Sequence, residues 1–374
     1  MFRSYNYKRY DFLSIILMFL LITISYFVIG SATRINSIEG TDYYAQRQLM
    51  GFSIGLVLML LVSFFDYHLL GKLAIPIYLL NVGLLVAVLM FGKEVNGAVR
   101  WIEMLGMTIQ PSEFSKFFMV IVLAKYFDRF QKHINSVFVW LGAGILIVIP
   151  MMLIRKQPDL STALVLVFLL GIMLFAAGIK YRYIFILLGI AIVMMFGVLW
   201  YIQQPDQVLL SDNQLGRIMA MINPEEYELS IALQTQNSVQ GIGSGQLFGK
   251  GIYNGKLNQY NYLPESQTDF IFSIIGEEFG FIGCSVVLLL MLALMLRVLY
   301  IAKDSKDLMG QLLCAGFVAV LGFQTFINVG VTTNIVPNTG LPLPFISYGL
   351  SALWSNMLML GLVLNLSIQR KTNK

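Results

Sequence analysis

The side chains able to do chemistry in this chain are few, and they gather in four strings. Segment 261–280, NYLPESQTDFIFSIIGEEFG, carries Glu265, Asp269, Glu277 and Glu278 at the start of a long apolar run. A carboxylate at such a boundary can take a proton from a hydroxyl as a general base. Segment 94–116, EVNGAVRWIEMLGMTIQPSEFSK, supplies Arg100, Glu113 and Lys116. Its two cations suit an anionic group held at a membrane surface. Segment 155–162, RKQPDLST, places Asp159 directly before another apolar run. Segment 334–356, NIVPNTGLPLPFISYGLSALWSN, has no charge, but prolines, glycines and hydroxyls, Ser347 among them, interrupt its apolar sequence. Other chemistries lack their residues. Cys284 and Cys314 lie inside apolar runs, which leaves no disulfide framework and no cysteine metal site. His68 and His133 sit in separate polar turns and offer no histidine-rich metal centre.

The elements that must position these groups are membrane helices. Hydrophobic residues make up 57% of the 374, and charged residues only 12%, about half the usual share. The mean hydropathy of +0.76 agrees. Such a chain cannot clothe a soluble domain in polar surface, which excludes a secreted enzyme, a disordered scaffold and a DNA-binding domain; no nucleic acid is expected as a partner. A hydrocarbon core of about 30 Å needs about 20 apolar helical residues. Ten such runs occur, at about 12–30, 49–65, 73–91, 113–127, 138–154, 160–178, 184–202, 270–302, 309–327 and 351–368. Nothing alternates with period two as a spanning barrel would. The first run is too long for a signal-peptide core and reads as a retained span. The predicted fold is a single all-α polytopic membrane domain over 1–374. With the N-terminus inside, the inner segments collect the majority of the 25 Lys and Arg, so both termini are expected in the cytoplasm.

The unusual sequence then lies outside, in 92–112, 155–159, about 203–267 and 328–350. The third of these joins the seventh and eighth spans and far exceeds the usual bundle connection of about 2–8 residues. Its glycines let it bend, while Leu247, Phe248 and Leu263 argue for packed structure.

Each string has a plain structural reading beside a functional one. Pro111, Ser112 and Glu113 read as a helix start near Gln110, with Glu113 and Lys116 paired on one helical face. Alternatively Arg100 and Lys116 anchor an anionic head group. Asp159 either caps the sixth span or pairs with a cation across a cavity mouth. Thr268 or Asp269 is placed to cap the eighth span. Glu277 and Glu278 lie two to three turns further in, where carboxylates are costly unless paired or hydrated. They point to a polar cavity opening outward, with Asp269 at its rim. Segment 334–356 is a re-entrant turn packing the last two spans, or one wall of that cavity.

Together the strings NGAVRWIEM…QPSEFSK, KQPDLSTAL, IGSGQLFGKG…YLPESQTDFIFSIIGEEFGFIG and TGLPLPFISYGLSA resemble the SEDS family. This is the bacterial shape, elongation, division and sporulation family typified by RodA and FtsW. The resemblance covers nearly the whole chain, in order. KQPDLSTAL, FGKG and GLPLPF are closer to the RodA branch. Two departures are visible: Gly349-Leu350 stands where the family usually has Gly-Gly, and Asn261 where some members carry an acid.

The resemblance implies a peptidoglycan glycosyltransferase at the outer face of the bacterial cytoplasmic membrane. It would polymerise lipid II and work with a class B penicillin-binding protein. The family's essential aspartate falls on Asp269, and its important Arg and Lys fall on Arg100 and Lys116. The acceptor's sugar hydroxyl needs a base, and one carboxylate suffices for a direct inverting displacement. The leaving lipid pyrophosphate needs cations, for which Arg100, Lys116, Arg217 and Lys250 are candidates. Glu113, Asp159, Glu265, Thr268, Glu277 and Ser347 complete the candidate substrate-binding set. A divalent cation, Mg or Mn, could share the charge, held by Asp269 or by the phosphates. GIGSGQLFGKG lacks the spacing of a P-loop, and no ATP is expected. The rival readings are a lipid II flippase and a non-catalytic activator of the transpeptidase.

Overall fold

The computed structural model describes residues 7–33, 43–95, 98–104, 107–204, 207, 212–222, 229–260 and 262–369. Its helices are α1 (Phe12–Thr33), α2 (Tyr43–Phe64), α3 (Tyr67–Lys72), α4 (Ala74–Phe91), α5 (Pro111–Arg129), α6 (Val137–Lys156), α7 (Leu160–Ala176) and α8 (Tyr181–Tyr201). They continue with α9 (Asp212–Ile222), α10 (Leu229–Ser244), α11 (Lys256–Gln259), α12 (Ile271–Lys303), α13 (Leu308–Thr332) and α14 (Leu350–Ile368). Each of the ten apolar runs coincides with one of these. Eight described helices, α1, α2, α4, α6, α8, α12, α13 and α14, are long and apolar enough to cross a membrane, and α7 is a shorter apolar helix.

The faces are sorted as lipid solvation demands. On α1, Ser14, Ser25 and Ser31 are buried, while Phe12, Ile16, Phe19, Leu20 and Phe27 are exposed. Polar atoms turn inward because hydrocarbon offers them no partner. The centre of the bundle is α14, nearly all of whose residues are buried, with α13 beside it. α14 lies against α2, where Gly51 and Gly55 make room for Leu350, Trp354 and Met357. The Trp354 indole donates to the Gly51 carbonyl at 2.7 Å. Small residues four apart permit this close approach between membrane helices. At the other extreme, no residue of α8 is buried.

The all-α expectation needs one amendment. Segment 92–112 forms a small antiparallel sheet, β1 (Lys93–Val95), β2 (Ala98–Met104) and β3 (Met107–Ile109), in the order β1-β2-β3. Val95 pairs with Ala98; the turn signal at Asn96-Gly97 itself lies outside the described residues. β1 and β3 have three residues each, and the seven of β2, AVRWIEM, do not alternate strictly between apolar and polar.

The long segment 203–267 is mostly helical in its described parts, through α9, α10 and α11. Ser238 of α10 donates to the Thr332 carbonyl at 2.7 Å, and its hydroxyl lies 2.5 Å from that of Ser273 on α12. α10 is thereby tied to α12 and α13.

The eighth run is interrupted. Within α12, Gly280 has φ 65° and ψ −161°, a conformation essentially confined to glycine. The break frees two carbonyls and two amides, and the FGKG loop uses all four. Lys250 N donates to Glu277 O at 3.0 Å, and Gly251 N to Glu278 O at 3.0 Å. In return Phe281 N donates to Gln246 O at 2.8 Å, and Ile282 N to Leu247 O at 3.1 Å. The loop is thus spliced into the helix, and each backbone group freed by the break finds a partner. At about 1.5 Å per residue, the piece 281–303 is about 35 Å long, enough to cross a membrane by itself. Gly280→Ala is therefore expected to cost several kcal/mol. It imposes about 1–3 kcal/mol of backbone strain, and its Cβ would lie 2.4 Å from Gly249 N and 2.7 Å from Leu247 backbone. Gly322→Ala, whose nearest neighbour would be Met295 Sδ at 3.9 Å, is the neutral control. Melting temperatures of the purified variants check this; equal values would contradict the splice.

On the face where the termini lie, a separate clip closes the helix turns. His68 Nδ1 lies 2.7 Å from Asp66 and its Nε2 2.6 Å from Asp307, which also caps α13 through Gly310 N at 2.9 Å.

Candidate active site

Asp269 sits in the turn entering α12, not on the helix. Its backbone N–H and that of Thr268 both donate to the Glu265 carbonyl, at 3.2 and 3.1 Å. The expected capping role of Thr268 or Asp269 is corrected: Phe270 occupies the cap position, with no side-chain cap hydrogen bond. The helix begins at Ile271, one residue later than a cap at Asp269 would require. The Asp269 carboxylate is thereby left without a structural duty in the helix start.

Its electrostatic surroundings are specific. Burial pushes the carboxyl up to about 6; Arg217 pulls it back most strongly, Glu265 adds to the rise, and Thr268 and Arg100 lower it. Gly340 lies beside both the carboxylate and the Arg217 guanidinium. A Cβ on Gly340 would lie 3.3 Å from Asp269 Oδ2 and 3.9 Å from Arg217 Nη1. Gly340 also has φ 74°, which disfavours a side chain. A half-buried carboxylate with a pKa near 6 and a guanidinium close by can accept a proton while the cation stabilises departing negative charge.

Arg100 projects from β2 into the α6–α7 turn. Its Nε donates to Gln157 O at 3.0 Å, and its Nη2 donates to Pro158 O. Asp159 caps α7, accepting from Thr162 N at 3.1 Å. Its second oxygen accepts from Gln110 Nε2 and Ser112 Oγ, each at 3.2 Å. Two of the four strings therefore meet at the starts of α5 and α7. As the pattern indicated, Gln110 is the cap residue of α5 and Pro111 its first residue.

Other candidates are engaged elsewhere. Lys116 is fully buried and its Nζ lies 2.5 Å from Glu113. The Glu113 carbonyl accepts from Ser355 Oγ of α14 at 2.8 Å. This pair is locked between helices and does not stand at a surface. Lys250 Nζ lies 2.6 Å from Glu277, whose carboxylate also accepts from Lys256 N at 2.8 Å and Leu257 N at 3.0 Å. Glu278 accepts from Ser31 Oγ. The two acids of the apolar helix, read above as lining a hydrated cavity, are instead buried latches for the FGKG loop and α1.

Segment 334–356 is the re-entrant strap behind Asp269. Ser347 Oγ donates to the Thr268 carbonyl at 2.6 Å, and Ser161 Oγ donates to the Thr339 carbonyl. The structure thus brings Asp269, Glu265, Thr268, Arg217 and Arg100 to one place, with Ser347 supporting them from the strap. One residue escaped the sequence reading. Asn328, on α13, donates to the Asp269 carbonyl at 3.0 Å and to the Leu341 carbonyl at 2.9 Å. Its only sequence signal is an amide near the outer end of an apolar run. Asn261, where an auxiliary acid was weighed, lies outside the described residues. Among the described residues no group of three or more His, Cys, Asp or Glu gathers as a metal site would. A cation at Asp269 would have to take its remaining ligands from phosphate and water.

A bundle of apolar helices with two carboxylates, Asp269 and Glu265, and two arginines at a strapped helix entrance defines a class that the comparisons name. The profile of the FtsW, RodA and SpoVE cell cycle protein family matches residues 11–372, and the chain belongs to that family. It is 35% identical to the probable peptidoglycan glycosyltransferase FtsW of Trichlorobacter lovleyi, over 98% of this chain and 95% of that one. It is 33% identical to the peptidoglycan glycosyltransferase MrdB of Escherichia coli, over 92% of this chain and 91% of that one. Among solved structures, a chain from work on polymerization and crosslinking by a peptidoglycan synthase complex superposes with a TM-score of 0.81. That chain is 29% identical, with 96% of this chain and 97% of that one covered.

Proposed function

We propose that this chain is a peptidoglycan glycosyltransferase that polymerises lipid II into glycan strands at the outer face of the cytoplasmic membrane. Asp269 is the general base that deprotonates the acceptor's sugar hydroxyl. The oxygen then attacks the donor's anomeric carbon, and the bond to the lipid pyrophosphate breaks. Arg217 and Arg100 stabilise the charge on that leaving group, and a divalent cation bridged by the phosphates could add to it. The observation that carries this reading is the Asp269 carboxylate itself, beside Gly340 and within the electrostatic reach of Arg217, with no role as the cap of α12. The relatives named peptidoglycan glycosyltransferases support it. The solved synthase complex supports a class B penicillin-binding protein as partner. KQPDLSTAL, FGKG and GLPLPF resemble the RodA branch, and the strands serve cell elongation or division.

The test is purified protein with labelled lipid II, alone and with its partner, the products resolved on a gel. A ladder of glycan strands is expected. Absence of strands in both conditions, with lipid II crossing the bilayer of liposomes that contain the protein, would favour a flippase. Strands made only by the partner would reduce the chain to an activator.

The site must also face outward. A cysteine at the exposed Asn254 is expected to react with an impermeant thiol reagent added to whole cells, and one at the exposed Lys132 is not. The native Cys284 and Cys314 are buried and should stay silent. The reverse pattern would place Asp269 on the cytoplasmic side and remove it from the substrate.

A further inference from the structure

The backbone around Asp269 is held by three consecutive carbonyls, each with its own donor. Gln267 O accepts from Tyr348 N at 2.9 Å. Thr268 O accepts from Ser347 Oγ at 2.6 Å, and Asp269 O accepts from Asn328 Nδ2 at 3.0 Å. Two of these donors belong to the strap. The third reaches from α13 and also binds the strap, through Leu341 O at 2.9 Å. The strap is tied internally as well: Leu343 N donates to Ser347 Oγ at 2.8 Å, and Ser347 N to Leu343 O at 2.9 Å.

Asn328 is buried, and its amide nitrogen spends its two hydrogens on the two carbonyls. One side chain therefore sets the turn that carries the carboxylate and the strap against which the carboxylate lies. At Gly340 the strap passes within 3.3 Å of Asp269 Oδ2, measured to the position a Cβ would take. A shift of either segment would alter the gap between the carboxylate and Arg217.

We propose that Asn328 is a positioning residue for the reaction. It bolts the Asp269 turn and the 338–348 strap to α13, and so fixes the carboxylate in its place near Arg217. The proposal deepens the reading of Asp269 as the base and rests on it. Displacing a reacting group by about 1 Å can cost about 100-fold in rate. A residue that only positions should therefore change turnover and leave lipid II binding alone.

The experiment measures strand synthesis by purified, folded Asn328→Ala and Ser347→Ala at varied lipid II. For Asn328→Ala, kcat is expected to fall by about 10- to 100-fold, with KM within about twofold of wild type. Ser347→Ala, which leaves Asn328 in place, is expected to show the same split with a smaller fall. If Asn328→Ala does not fold, Asn328→Leu, which fills the same space without the two N–H donors, takes its place. Unchanged kcat in the folded variants would overturn the proposal, as would a raised KM with normal kcat. Asp269→Asn is measured beside them. A fully active Asp269→Asn would sink the base itself, whereas an inactive one with a normal Asn328→Ala would sink only the positioning role.

Discussion

Asp269→Asn is expected to cut strand synthesis by about 100-fold or more and to leave the protein at least as stable as wild type. Asn cannot accept the proton of the attacking hydroxyl. The variant should nevertheless fold, because the carboxylate caps nothing: Phe270 holds the cap position of α12, and the turn is secured through backbone atoms. Burial raises the affinity of Asp269 for its proton, so its folded pKa of about 6 lies above the ordinary 3.8. A raised folded pKa means that stability is greatest at low pH and is lost as pH rises through about 6. At pH 7.5 the ionised carboxylate therefore opposes folding, and the neutral amide removes that cost. The melting temperature of Asp269→Asn should equal or exceed that of wild type. A large drop would mean that the carboxylate holds structure after all.

The second large effect concerns the pair Glu113–Lys116. Removing one partner of a buried ion pair leaves an uncompensated charge and costs about 3–5 kcal/mol. Lys116 is fully buried against Glu113, so Lys116→Met should melt far below wild type. Adding Glu113→Gln should recover most of the loss, since a neutral pair has no stranded charge. The double variant also separates two roles. Recovered stability with recovered synthesis makes the pair a helix lock. Recovered stability without synthesis makes Lys116 a head-group ligand reached through motion of α5. A Lys116→Met protein as stable as wild type would contradict the burial.

The spanning helices were legible because lipid imposes one rule on every run: about 20 apolar residues. The start of α5 was legible for a local reason, since Pro111 and Glu113 are first-turn residues wherever they occur. What could not be read were partners distant in sequence. Glu277 showed as an acid in an apolar helix, but its donors lie at Lys250, Lys256 and Leu257, in a loop that the sequence leaves free to bend. Gly280 looked like one glycine among many, because its break is defined only by the FGKG backbone that fills it. His68 stood in a polar turn with one acid in view, Asp66, while its second, Asp307, lies 239 residues away. At the site, Asp269 and Arg100 came from string resemblance. Asn328 did not, because an isolated amide in an apolar run carries no pattern until the strap folds over it.

The pH dependence of strand synthesis by the purified protein tests Asp269 as the base most directly. A base must be ionised to act, so the single-turnover rate should fall about tenfold per unit as pH drops below the carboxyl's value near 6. Lipid II binding, measured separately, should stay constant across that range, and the residual rate of Asp269→Asn should show no such limb. A flat profile through pH 6, or the same limb in Asp269→Asn, would contradict the account.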